Sequence, residues 1–224
     1  MRIAVLGGAG AMGAIFGGRL AQAGYDVTLV ERERGLGGNL QHIYYVAEGD
    51  NPQRLLRDLV NRVLGHQRID VLTGSEVVAN SGSTGAFRST IQTPRGTLEV
   101  EHGVTIVATG GEEWRDEVFL LGQDTHVVTS FDLEEIIAHR PEQVAALKEI
   151  VFIQCVGRVK RTDYCSRTCC TNTMKNALRI KLLNPDCRVV VLYKDIITYG
   201  FREAFYTEAR QRGVLFVRYD EDHM

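Results

Sequence analysis

Four of the five cysteines in this 224-residue chain fall inside sixteen positions: Cys155, Cys165, Cys169 and Cys170. The stretch reads C, VGRVKRTDY, C, SRT, C, C. Free cysteine is usually a scattered, buried, small apolar residue, so four in one segment need a chemical reason. Metal or cluster ligation, a disulfide and thiol redox chemistry are the candidates. A disulfide framework belongs to small secreted domains that lack a core. Structural zinc favours two separated pairs of close cysteines, and the adjacent Cys169 and Cys170 do not suit it. An iron–sulfur cluster takes four thiolates and tolerates uneven spacing. Arg158, Lys160, Arg161 and Arg167 share the segment. Such cations lower thiol pKa values and offset the charge of thiolates or of a cluster. Spacing alone leaves cluster, zinc, redox thiols and packed cysteines open.

The second chemical motif lies at the other end. An apolar run at residues 2–7 is followed by Gly8, Gly10 and Gly13 in a GxGxxG spacing. A helical pattern then runs to Gly24, with Ile15, Leu20 and Ala23 on one face, and a second apolar run ends at Glu31. Strand, glycine loop, helix, strand and acid in that order form a dinucleotide-binding pattern. Gly8 permits the tight turn, Gly10 lets backbone N–H groups approach a pyrophosphate, and Gly13 lets the helix pack close to the strand. The helix N-terminus adds partial positive charge. Glu31 can accept hydrogen bonds from a ribose diol, which FAD and NAD share and NADP lacks. Gly37 and Gly38 follow, offering a second close approach of backbone to a diphosphate. The alternative is a flexible glycine-rich loop.

The intervening elements must hold these residues in place. Residues 51–64 predict a helix, capped by Asn51, with Pro52 at its first position and Leu55, Leu56, Leu59, Val60, Val63 and Leu64 as its apolar stripe. Residues 69–103 predict a strand and an antiparallel meander, and the chain then returns to an apolar strand ending at Ala108, Thr109 and Gly110. Ser130 is a candidate helix cap, and Pro141 opens a further helix. His126 and His139 read as solvated or packed. From residue 149 the pattern becomes strand, cysteine loop, helix (residues 172–183), strand, helix, strand, which predicts a second parallel sheet. The cysteine loop then occupies the place of a glycine loop, outside the carboxyl end of its first strand. Tyr193, Asp195 and Tyr199 lie on the same side, and Cys187 reads as packed.

Composition sets the outer limits. Hydrophobic residues make up 44% and charged residues 24%, with a net charge of -2. This is ordinary for a globular chain of one large or two small domains and gives no basic surface for nucleic acid. No apolar run approaches the roughly 18 residues of a membrane span. Clustered cysteines without a leader predict a reducing, cytoplasmic setting. The expected fold is α/β, a Rossmann-like FAD/NAD(P)-binding fold of the two-dinucleotide-binding type with a second, partial parallel α/β lobe. The expected domains are 1–147, with the meander, and 148–224, with the cysteines and expected to be incomplete.

Three segments, LVERERGLGGNLQHIYYVAEGDNPQ, EHGVTIVATGGEE and FIQCVGRVKRTDYCSRTCC, resemble the flavin-containing A subunit of heterodisulfide reductases and its bacterial relatives. LYKDIITYG and GVLFVRY extend the likeness. It implies an FAD-binding, thioredoxin-reductase-like subunit with iron–sulfur clusters that transfers electrons among low-potential carriers with other redox subunits, with a homodimer as a further option. It implies FAD contacts at Gly8, Gly10, Gly13, Glu31, Gly37, Gly38, Thr109 and Gly110. Ala11, Met12, Arg32, Asn39, Val77, Val78 and Ala108 complete the candidate cofactor site. It implies 4Fe–4S ligation at Cys155, Cys165, Cys169 and Cys170. Residues 1–30 resemble instead ketopantoate reductase and other NAD(P) Rossmann enzymes. The competing readings are therefore an NAD(P)-dependent Rossmann dehydrogenase and a non-enzymatic cluster or thiol redox sensor.

Overall fold

The structure, a computed structural model, describes residues 2–6 (as backbone), 10–115, 117–157 and 164–219. Gly8 and the cations Arg158, Lys160 and Arg161 lie outside the described residues. The chain forms two compact units, residues 1–45 with 51–113, and residues 46–50 with 114–224.

In the first unit the apolar runs become parallel strands. β1 (Arg2–Leu6) lies between β2 (Asp26–Val30) and β7 (Val104–Val107), and β3 (Ile69–Leu72) lies outside β2. Helix α1 (Ala11–Gln22) returns the chain from β1 to β2 and turns its small residues inward. Gly13, Ala14, Gly17, Gly18 and Ala21 are buried, and Ile15 and Leu20 pack at the margin. This corrects the expected apolar face: close packing of the helix selects glycine and alanine there. A Cβ on Gly17 would lie 3.7 Å from Val27 Cγ1. Helix α2 (Pro52–Leu64) begins as expected, with the Asn51 side chain accepting the Arg54 N–H at 2.9 Å. Its buried residues are Pro52, Leu59 and Val63, whereas Leu55 and Leu64 are exposed, so the inward stripe is narrower than the sequence suggested.

The meander consists of β4 (Glu76–Ser83), β5 (Ala86–Thr93) and β6 (Gly96–His102), antiparallel in that order. Its core, Ile91 and Val100, meets Val30 from the parallel sheet, with Leu72 and Val77 at the edge. The turn into β7 is pinned by a buried polar pair. His102 Nδ1 faces the Val104 carbonyl at 3.1 Å and so carries the proton, leaving Nε2 to accept the Ser89 hydroxyl at 2.8 Å.

In the second unit α3 (Ser130–His139) and α4 (Pro141–Ala145) precede β8 (Glu149–Ile153), α5 (Cys169–Leu183), β9 (Arg188–Tyr193), α6 (Glu203–Gln211) and β10 (Leu215–Arg218). The strands are parallel in the order β10-β9-β8, repeating the β3-β2-β1 order of the first unit. Thr129, not Ser130, caps α3: it accepts the Asp132 N–H while Asp132 accepts the Thr129 N–H, a reciprocal capping box.

The units part at residues 113 and 114, earlier than the 147/148 boundary read from the sequence. The reason is that α3 and α4 are fastened to α5. Buried Glu134 pairs with buried Lys175 at 2.7 Å, and the Asn184 amide donates to the carbonyls of Val144, Ala145 and Leu147.

Candidate functional site

The candidate residues gather in two clusters, one in each unit. In the first, β1 and β7 run parallel with Leu6 opposite Val107. The carboxyl ends of β1 and β7 therefore lie side by side, and the Ala108, Thr109, Gly110 turn follows the latter. Gly10 takes the capping position of α1 with extended backbone, and its carbonyl accepts the Ala14 N–H at 3.1 Å. The N–H groups of the first turn have no intrahelical acceptor and are available to an anion. Gly37 pairs with Gly10 in a parallel bridge. Gly38 comes so close that a Cβ there would lie 3.2 Å from Gly10 Cα. Gly37 and Gly38 both have positive φ, +124° and +49°.

Glu31 directly follows β2 and is buried, 8% exposed. Its Oε1 accepts the Glu33 N–H at 2.9 Å, which fixes the carboxylate at the strand end. The loop that follows is tied to the turn after β7. Arg32 pairs with Glu112, and the Asn39 amide donates to the Gly111 carbonyl at 2.8 Å. A 3-10 turn, Gly38–His42, is held from behind by Gln53, whose amide donates to the Leu40 and Ile43 carbonyls. Of the remaining candidates, Ala11 is half-buried, Met12 is exposed and Gly13 is buried. Val77 is taken up by the meander core. Val78 sits at a β-bulge and is 60% exposed. A bulge re-aims a side chain, so Val78 presents the apolar surface there. Gly111, Glu112 and Gln53 join this cluster through partners distant in the chain: the Gly111 carbonyl accepts the Asn39 amide, Glu112 pairs with Arg32, and the Gln53 amide reaches the Leu40 and Ile43 carbonyls.

A bound dinucleotide fits this cradle. Two glycine backbones meet where a side chain would crowd them, a helix N-terminus opens beside them, and a fixed carboxylate follows the next strand.

The second cluster surrounds the amino end of α5. This helix starts at Cys169, three residues before the expected start, so Cys169 and Cys170 occupy its first turn rather than the loop. Thr168 precedes it without a side-chain cap, which leaves the start of the helix without a local signal. Cys155 follows β8 with φ +60°, a left-handed conformation unusual for a residue with a side chain. The Cys155 and Cys170 thiols both face the Asp195 carbonyl, at 3.7 and 3.9 Å, and the Ile197 N–H donates to Cys170 Sγ at 3.3 Å. Cys169 is held toward its thiolate, with a pKa lowered to about 6. The Cys170 thiol donates to it, and the Cys155 backbone N–H and the Ser166 hydroxyl point at it, against an opposing effect of burial. Cys170 is correspondingly raised by donating to Cys169 and by burial.

Cys165 accepts the Arg167 N–H at 3.4 Å within its own turn. All five cysteines are free thiols. Among the described residues, no group of three or more His, Cys, Asp or Glu side chains is arranged to hold a metal ion. Cys155 and Cys170 share the Asp195 carbonyl, Cys169 and Cys170 are hydrogen-bonded to each other, and backbone N–H groups are aimed at Cys169 and Cys170. Asp195, on the side indicated by the sequence, and Ile197 enter the cluster through backbone groups rather than side chains.

The comparisons with known proteins divide along the chain. The family model of ketopantoate reductase PanE/ApbA matches residues 3–58, in keeping with the resemblance of the amino-terminal segment. The A subunit of the H(2):CoB-CoM heterodisulfide,ferredoxin reductase of Methanothermobacter thermautotrophicus is 34% identical over 138 residues. The iron–sulfur A subunit of the CoB–CoM heterodisulfide reductase of Methanopyrus kandleri is 35% identical over 141. Each match takes in 54% of this chain and 21% of the relative, so the chain spans about a fifth of the length of these proteins. The resemblance to heterodisulfide reductase A subunits is thereby borne out over half the chain.

Among solved structures, thioredoxin reductase of T. acidophilum superposes with TM-score 0.59 at 14% identity, covering 97% of this chain and 63% of that one. The flavoprotein disulfide reductase RclA of Escherichia coli gives 0.58 at 15% identity, covering 97% and 48%. The fold is that of thioredoxin-reductase-like flavoproteins. The α/β, two-dinucleotide-binding architecture read from the sequence agrees with it. Among the described residues, no helix is long and apolar enough to cross a membrane.

Proposed function

We propose that this chain is a flavin- and iron–sulfur-dependent oxidoreductase subunit that passes electrons between low-potential carriers, working with other redox subunits in the cytoplasm. The observation that carries the reading is the contact of Gly10 with Gly37 and Gly38 beside Glu31. FAD, when bound, supplies transfer of electrons in pairs or singly, and an iron–sulfur cluster supplies single-electron transfer. The protein supplies placement. The first turn of α1, at Ala11, Met12 and Gly13, would offer N–H groups to the pyrophosphate. Glu31, held by the Glu33 N–H, would accept the ribose hydroxyls. The loop holding Gly37, Gly38 and Asn39, clamped to Gly111, would offer backbone to the diphosphate, together with Thr109 and Gly110. Cys155, Cys165, Cys169 and Cys170 would hold the cluster. Support for the cluster comes from the gathered sulfurs and from relatives named as iron–sulfur subunits. Free cysteines agree with a reducing compartment.

A second reading, an NAD(P)-dependent Rossmann dehydrogenase, is favoured by the family match over residues 3–58. Anaerobic reductive titration separates the two. The first reading expects uptake of about three electrons per chain, two by flavin and one by a cluster, with bleaching of visible absorbance. A colourless protein that takes up none and retains NAD(H) overturns it.

A further inference from the structure

Gln154 stands between β8 and the left-handed Cys155, and it is almost wholly bonded inside the second unit. It is 5% exposed. Its N–H donates to the Leu192 carbonyl at 2.8 Å, and its carbonyl accepts the Tyr219 hydroxyl at 2.7 Å. Tyr219 is itself anchored, its N–H donating to the Tyr193 carbonyl at 3.0 Å. The Gln154 side-chain amide reaches across to α5 and donates to the hydroxyl of Thr173, which has no exposed surface. Thr173 lies one helical turn beyond Cys169 and Cys170. The other end of the amide, Oε1, is buried with no hydrogen-bond partner among the described residues.

This is an expensive arrangement for packing alone. A buried acceptor left unpaired costs about 1–3 kcal/mol, and an apolar side chain of the same length would avoid that loss. A left-handed residue with a side chain also persists only where its surroundings over-determine it. Both features meet at one point, the join between Cys155 and the helix that carries the other sulfurs. The Cys155 N–H points at Cys169, so the φ of Cys155 sets where that donor and its own sulfur fall.

We propose that Gln154 and Thr173 form a positioning clamp for the sulfur site, holding Cys155 against Cys169 and Cys170. The clamp fixes the end of β8 to the second turn of α5. It acts through Cys155 and touches no reacting atom itself. This rests on reading the three cysteines as one site, and not on which prosthetic group the site holds.

The test uses the full chain, freed of any metal by chelation under anaerobic conditions, and p-aminophenylarsine oxide. This reagent bridges two thiols only when they are close, forming two As–S bonds and releasing water. In the wild type, mapping of the adduct by mass spectrometry is expected to link Cys155 to Cys169 or Cys170. An adduct confined to Cys169 and Cys170 would overturn the proposal without need of any variant. Thr173→Val, which keeps shape and loses the hydroxyl, is expected to slow bridging through Cys155 at least tenfold, as is Gln154→Leu. Thr173→Ser is expected to restore it to within twofold of wild type. Equal rates for the valine and serine variants, with unchanged circular dichroism, refute the clamp. Iron measured on the same preparation before chelation decides the cluster reading separately: iron-free protein that still bridges Cys155 sinks the cluster and keeps the clamp.

Discussion

Gly38→Ala probes the cofactor cradle most sharply, because two of its effects can be separated. Gly38 has φ +49°, where a side chain costs about 1–2 kcal/mol. The new Cβ would also stand 3.2 Å from Gly10 Cα. That is backbone, so the glycine loop must give way by a few tenths of an ångström. The loop is where N–H groups would meet the pyrophosphate, and loss of one charge-assisted hydrogen bond there is worth about 1.5–3 kcal/mol. Flavin affinity should therefore fall about tenfold to 150-fold. Gly24→Ala is the control: its φ is +91°, and a Cβ there meets nothing within 4 Å. It carries the backbone penalty without touching the cradle. The assay is FAD binding by flavin fluorescence quenching, alongside urea unfolding of both variants. The expected result is similar destabilisation of both and weakened binding only for Gly38→Ala. Equal flavin affinity in the two variants would defeat this expectation, because the Gly10 and Gly38 contact would then have no bearing on the ligand.

Other consequences can be checked independently. In iron-free protein, the lowered Cys169 pKa means that the reactive thiolate appears at lower pH than usual; its alkylation rate by iodoacetamide should rise with a midpoint near pH 6, where an ordinary cysteine shows about 8.5, and a midpoint near 8.5 contradicts the hydrogen bonds assigned to it. Asp132 is raised by burial, but its bonds from Arg115 and Thr129 outweigh this and hold its pKa below the usual value. Its contribution to stability is therefore present above about pH 3.9 and lost as the pH falls through the folded value, so Asp132→Asn should lower the thermal midpoint at pH 7 and much less near pH 3. Thr129→Ala should destabilise the chain by about 1 kcal/mol through loss of the α3 cap, measured by urea unfolding. Lys175→Met leaves Glu134 buried without its cation and should destabilise by about 3–5 kcal/mol, with Lys175→Met plus Glu134→Leu recovering most of the loss.

The parts legible in the sequence were those whose causes are local. Apolar runs, one ending in glycine and one in Glu31, marked β1 and β2, the Asn51 and Pro52 pair marked the start of α2, and alternation with Gly turns marked the meander. The strand, loop, helix, strand order around the cysteines pointed to the second parallel sheet. What escaped was set by contacts distant in the chain. The early start of α5 has no capping side chain to announce it. The division of the units depends on Lys175 reaching Glu134 and on Asn184 reaching the end of α4. In the candidate site, the glycines and Glu31 were visible because close approach and charge require those residue types. The bonds that fasten them, Asn39 to Gly111 and Arg32 to Glu112, span 72 and 80 residues. The sulfur site is similar: its cysteines were plain, but the Asp195 carbonyl, the Ile197 N–H and the Gln154 amide belong to residue types that are common anywhere.

The proposed function stands or falls on whether the cradle formed by Gly10, Glu31 and Gly38 takes FAD. To decide it, the chain is purified anaerobically and denatured, and the released nucleotide is identified by chromatography and mass spectrometry, with Glu31→Ala processed in parallel. FAD is expected from the wild type, approaching one per chain, with a marked loss from the variant. Release of a nicotinamide nucleotide without flavin, or FAD content that is the same in Glu31→Ala, would contradict it.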